Sequence, residues 1–227
     1  MLSVAGAPAA RARSETPAGF VGRGKLGRLT PRSAPAQFEG GETIYPQDGP
    51  ADYIYEVERG VVRTVRLDAD GRRIVYGFHT QGDVFGVERN GTHAYSAEAI
   101  GDVDVIRCPR ELLERAALSD HAVAEALWSW LLSGADRATG RLALLARGSA
   151  LEKIAHFLIE MAGRAHSEAR IELAMSRYDI ADYLGLSSET VSRTFTVLRE
   201  QGLIATEGRV VLLLRPSSLR RLDIGHA

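Results

Sequence analysis

The chain has 227 residues, 45% of them apolar and 25% charged, with a single cysteine. That length supports one large domain or two ordinary ones, each with a sizeable core. One cysteine excludes an intramolecular disulfide and a four-cysteine metal or iron–sulfur site; no apolar run would span a membrane or direct secretion, so a cytoplasmic protein is expected.

Net charge is −1, with six basic groups and one acidic in residues 1–33, nine and fifteen in residues 34–118, and ten of each in residues 149–227. No bulk basic excess advertises a nucleic-acid partner, so such a partner would have to be met by a local face.

Residues 1–33 are rich in Ala, Gly, Pro and Arg and lack aliphatic periodicity, which reads as a flexible tail. An Arg-rich, acid-poor leader also fits an organelle transit peptide, but the amphipathic pattern of one is missing. From Phe38 to Pro109 short strands broken by turns are expected. "VVRTVRL" and "RRIVYGF" flank Asp68-Ala69-Asp70-Gly71, a hairpin signal with Gly where a positive φ is wanted. Strand–turn units at this spacing, through residue 118, predict a small β-barrel or jelly roll.

A long helix is expected over residues 119–148. Ala124, Trp128, Leu131, Ala135, Ala138, Leu142 and Leu145 repeat at alternating steps of four and three, a heptad seam whose small central residues permit close approach. The seam fits a two-chain coiled coil, a helix packed on its own barrel, or both. Gly148 and Ser149 then break the helix and open a second unit, residues 149–227. In it Ile154, Phe157, Leu158 and Met161 share one helix side, and "IELAMS" reads as a strand. "RYDIADYLG" reads as a helix ended by Gly185, Ser187 caps the next helix, and a hairpin turns about Glu207-Gly208.

Helix, a three-residue turn containing Gly, and a second helix make the helix-turn-helix pattern, and the trailing hairpin makes it winged. On the second helix Val191, Phe195 and Leu198 form an apolar face, while Glu189, Ser192 and Arg193 share the other. Arg193 has the donor fork for guanine O6 and N7, Glu189 can accept from cytosine N4, and Ser192 can reach either kind of base edge. The bland alternative is an intrahelical Glu189–Arg193 ion pair on a wet surface. Ser176, Arg177, Ser187, Ser188 and Thr190 are the candidate phosphate-positioning residues.

"DIADYLGLSSETVSRTFTVLREQGLI" resembles the helix-turn-helix of the Crp/Fnr superfamily of bacterial transcription regulators, with Glu189, Ser192 and Arg193 in the Fnr/FixK form E-x-x-S-R. "GGETIYPQDGPADYIYEVERGVV" and "QGDVFG" resemble that superfamily's effector barrel, and "DVFGVERNGTHAYSAEAIGDVDV" is most similar to the FixK branch. The resemblance implies an α+β chain: an N-terminal cyclic-nucleotide-binding-like β-roll, a long dimerisation helix and a C-terminal winged helix-turn-helix. It further implies a homodimer, paired through Trp128, Leu131, Ala135, Ala138, Leu142 and Leu145, that binds a TTGA/TCAA-like palindrome and recruits RNA polymerase as an activator.

Cyclic-nucleotide members hold the phosphate with a Gly-Glu element and an Arg-Ser pair, and here Tyr95 stands where that Arg is expected. Arg89 could substitute in principle. Fnr's cluster cysteines are missing from residues 1–37. For haem, Cys108-Pro109 and the candidate ligands His79, His93 and His121 are the only recommendation, and Cys108 is equally a small hydrophobe ending a strand. The expectation is no cofactor and no metal, with a nucleotide- or haem-gated regulator as the alternative. No Gly-rich phosphate loop or hydrolase motif suggests an enzyme.

Overall fold

The computed structural model describes residues 24–29, 33–88, 90–146, 148–167 and 169–224. Two compact units divide between Trp130 and Leu131.

The first unit opens with helix α1 (Lys25–Leu29), followed by strands β1 (Ala34–Phe38), β2 (Thr43–Tyr45), β3 (Tyr53–Leu67), β4 (Arg73–His79), β5 (Val84–Phe85) and β6 (Ser96–Pro109). All pairings are antiparallel, in the order β1-β6-β3-β4, with β2 added to β6 and β5 to β3. The outer strands β1 and β4 do not pair with each other, so the sheet is a roll rather than a closed barrel. The expected hairpin is present: Leu67 faces Arg73, Gly71 has φ 78°, and its N–H donates to Asp68 O at 2.9 Å.

The strands are not all short. β3 runs 15 residues and β6 runs 14, because register shifts at Val57–Arg59 and Arg59–Val61 let one long ribbon bend without ending. Gly60 sits at that bend with φ +88°, and a Cβ there would lie 2.4 Å from the Asp102 carbonyl oxygen, so only glycine fits. The bend turns Val57, Val62, Ala97, Ala99, Val103 and Val105 into one core.

The flexible tail expected through residue 33 fails at α1. Leu26 is fully buried in a second core cluster with Ile54, Ile106, Cys108, Leu113 and Val123. The buried Glu56 carboxylate accepts from the backbone N–H of Lys25 at 2.9 Å and of Leu26 at 2.8 Å, an anion on two orphan donors at the opening of a helix. The remainder of that tail, residues 1–23 and 30–32, lies outside the described residues.

Helix α2 (Arg110–Ser119) leads into α3 (His121–Leu145), the expected long helix, which begins in the first unit and ends in the second. In the first unit Val123, Leu127 and Trp130 join the Leu26 cluster. In the second, Leu144 is buried and the Arg141 guanidinium lies 4.9 Å from the Tyr183 ring centre.

The second unit continues with α4 (Ala150–Arg164), β7 (Arg170–Glu172), α5 (Arg177–Leu184), α6 (Ser188–Glu200), β8 (Ile204–Glu207), β9 (Val210–Leu213) and α7 (Pro216–Ile224). Ser149 and Glu152 form a reciprocal capping box that starts α4, whose buried face presents Ile154, Phe157, Leu158 and Met161. The three-stranded sheet has the order β7-β9-β8, and α7 packs on α4.

Candidate nucleic-acid interface

Helix α5 begins at a second capping box. The Ser176 hydroxyl accepts from Asp179 N–H at 3.1 Å and donates to Asp179 Oδ2 at 2.7 Å. The helix ends at Gly185, held at φ 63°, and the Leu186 N–H returns to Ala181 O at 3.0 Å. After the turn Gly185-Leu186-Ser187, the Ser187 hydroxyl accepts from Thr190 N–H at 3.1 Å and opens α6.

Val191, Phe195 and Leu198 are buried, as their spacing requires, and α6 packs on both α5 and α4. Thr194 shares that buried side only because its hydroxyl donates to Thr190 O at 2.8 Å. The opposite side carries Glu189, Ser192 and Arg193 together in solvent. Arg193 Nη2 and Glu189 Oε1 are 2.5 Å apart, with side-chain exposures of 78% and 70%. The ion pair that the sequence allowed therefore forms. At such exposure it contributes only about 0.3–0.5 kcal/mol, so a base edge can replace it at little cost. The Ser192 hydroxyl donates to Ser188 O at 2.9 Å, which leaves its lone pairs facing solvent.

The phosphate-positioning candidates cluster at two helix starts. Ser176 stands at the first, where its hydroxyl proton is given to Asp179. The Arg177 guanidinium carbon lies 3.4 Å from the Phe195 ring centre. Burial there and the charge of Arg199 both lower its proton affinity from the ordinary arginine value. At the second start Ser187 and Thr190 share a hydroxyl–hydroxyl bond of 2.8 Å, and Ser188 is half-buried. Sequence reasoning missed Thr196 and Arg199, which extend the polar side by one more turn. Their signal was present as a continuation of the same three-and-four spacing from Ser192. The hairpin β8–β9 turns at Gly208, φ 57°, and presents Arg209 to solvent.

In the roll, the Tyr95 ring lies 4.4 Å from that of Tyr76, and the Ser96 hydroxyl accepts from Gln47 N–H at 2.8 Å. Glu98 pairs with Arg63 at 2.8 Å. His93 is buried, stacked 3.5 Å from the Tyr45 ring, and His79 stacks on Phe85. Cys108 belongs instead to the Leu26 cluster, and His121 stands in solvent 3.6 Å from Glu125. The four haem candidates thus do not share one site. Arg89 lies outside the described residues. Among the described residues no His, Cys, Asp and Glu side chains gather as a metal site, and no helix is long and apolar enough to cross a membrane.

Two capped helices at a glycine turn, a polar outer side on the second and a hairpin behind it define a winged helix-turn-helix of the DNA-binding class. Comparison with known proteins agrees in both halves. A Crp-like helix-turn-helix domain matches residues 152–222 and a cyclic nucleotide-binding domain matches residues 35–120. The nitrogen fixation regulation protein FixK of Azorhizobium caulinodans is 43% identical over 195 residues, 83% of this chain and 79% of that one. The transcriptional activator protein Anr of Pseudomonas protegens is 33% identical over 191 residues, 82% of this chain and 78% of that one. The structure of FixK2 from Bradyrhizobium japonicum superposes with a TM-score of 0.81 at 41% identity, covering 86% of this chain and 99% of that one. The chain belongs to the Crp/Fnr family of DNA-binding transcription regulators, in its FixK branch.

Proposed function

We propose that two copies of this chain pair along α3 and read a TTGA/TCAA-like palindrome without a small-molecule effector, activating transcription through RNA polymerase. The observation that carries the reading is the outer side of α6, where Glu189, Ser192 and Arg193 stand together in solvent within its first two turns. Arg193 reads guanine, Glu189 accepts from cytosine, and Ser192 bridges to the neighbouring edge. Arg177, Ser187, Ser188 and Thr190 hold the backbone, and Ser176 fixes the start of α5.

Pairing is supported by the exposed seam. Trp128, Leu131 and Leu142 are 65%, 51% and 69% exposed, and Ala135, Ala138 and Leu145 are exposed on the same stripe. A solvent-facing apolar stripe of this length on one helix is the form of a coiled-coil seam, and a second copy supplies an identical partner. Two-fold pairing matches half-sites one helical turn apart. Effector independence is supported by Tyr95, whose ring packs on Tyr76 where a phosphate would need a bidentate guanidinium.

The test is a titration of the protein, free of effector, with a palindromic duplex and with one whose half-sites are scrambled. The expected result is a preference of about a thousandfold or more at physiological salt. Equal affinity for the two duplexes would contradict the reading.

A further inference from the structure

We propose that Arg199 and Arg177 grip one backbone phosphate beside each half-site, so that the base-reading helix carries its own positioning cation in its last turn. The inference rests on α6 being the base-reading helix and adds a residue to its DNA contacts.

Phe195 links the two arginines. Arg177 is the first residue of α5, and its guanidinium carbon lies 3.4 Å from the centre of that ring, which strips water from one side of it. Arg199 follows Phe195 by four residues on α6. A helical side chain leans toward the preceding turn, so Arg199 emerges beside the same ring. Its Nη2 donates to Thr196 Oγ1 at 3.2 Å, and Thr196 donates in turn to Ser192 O at 3.3 Å, which ties Arg199 to the base-reading turn.

Neither guanidinium has a carboxylate partner among the described residues, although the helical arginines Arg110, Arg115, Arg164 and Arg193 are all paired at i,i+4. Residues three and four away from Arg199 are Phe195, Thr196, Gly202 and Leu203, and those following Arg177 are Ile180 and Ala181. The nearest acid in α5, Asp179, is buried and turned onto Ser176. Two adjacent like charges, one of them partly desolvated, raise each other's energy, and an anion between them relieves both. A phosphate diester supplies the single negative charge and the two free oxygens that such a pair would hold.

The experiment is a methylphosphonate scan, in which each phosphate of the palindromic duplex is made neutral in turn. For the wild-type protein, affinity should fall about tenfold at one flanking phosphate per half-site. R199Q should bind the unmodified duplex about threefold more weakly per half-site with its base preference unchanged, and its salt dependence should become shallower. Neutralising that one phosphate should then cost R199Q and R177Q each only about threefold, and the double variant R199Q/R177Q nothing further. Wild-type affinity in R199Q, or loss of sensitivity at a different phosphate from R177Q, would overturn the proposal. Wild-type protein that fails to prefer the palindrome would overturn the reading of α6 instead.

Discussion

Leu131→Glu isolates the role proposed for the long helix. In the single chain Leu131 lies on the open side of α3, 51% exposed. A glutamate there is a good helix former in water, so the monomer should change in stability by no more than about 0.5 kcal/mol. In a two-fold pair the seam brings both copies together. Half a leucine's burial is worth about 1 kcal/mol per copy. An unpartnered carboxylate in an apolar contact costs about 3–5 kcal/mol more. The dimer constant should therefore weaken by at least about 5 kcal/mol, over a thousandfold. Sedimentation velocity at micromolar concentration should show a dimer for the wild type and a monomer for L131E, with matching circular dichroism and melting. Palindrome binding should be lost with the dimer, because each half-site alone is too weak. An L131E protein that stays dimeric would place the interface elsewhere.

Ser187→Ala removes the hydroxyl that accepts from Thr190 N–H, and should lower the stability of the second unit by about 1 kcal/mol in a urea melt while weakening DNA binding. Glu56→Ala leaves the Lys25 and Leu26 N–H groups without their acceptor. It should destabilise the first unit by about 1–3 kcal/mol and expose α1 to proteolysis. Millimolar cyclic AMP or cyclic GMP should shift neither melting temperature nor DNA affinity. A ligand at a hundred times its dissociation constant would add about 2.7 kcal/mol, a shift of several degrees, and such a shift would refute effector independence.

The parts legible in the sequence are those with local chemistry. Gly71 and Gly208 announced their hairpins, Gly185 and Ser187 the turn between α5 and α6, and the spacing of Val191, Phe195 and Leu198 fixed which side of α6 is wet. The parts that were not legible depend on distant partners. Leu26 and Leu29 stand among glycines and basic residues, too few to announce a core helix, and the anchor of Leu26, Glu56, lies 30 residues away and reads as a surface acid in an alternating strand. The continuity of β3 and β6 was hidden because Gly60 and Gly101 look like strand breakers, whereas the paired ribbon uses them as a bend. Helix α7 has only nine residues, and Pro216 at its start is a helix opener that also reads as a loop. At the interface, residue types were readable and their engagements were not. Ser176 is held by Asp179 three residues on, and Arg177 by Phe195, a neighbour only once α5 and α6 pack.

The central claim, that Arg193 reads a base, is tested most directly by R193A in competition against palindromes permuted at every half-site position. The account predicts a loss of about 1–3 kcal/mol per half-site, confined to one base pair whose preference is thereby relaxed, with affinity at the remaining positions scaling as in the wild type. A uniform weakening across all permuted sites would make Arg193 a phosphate contact and contradict the account.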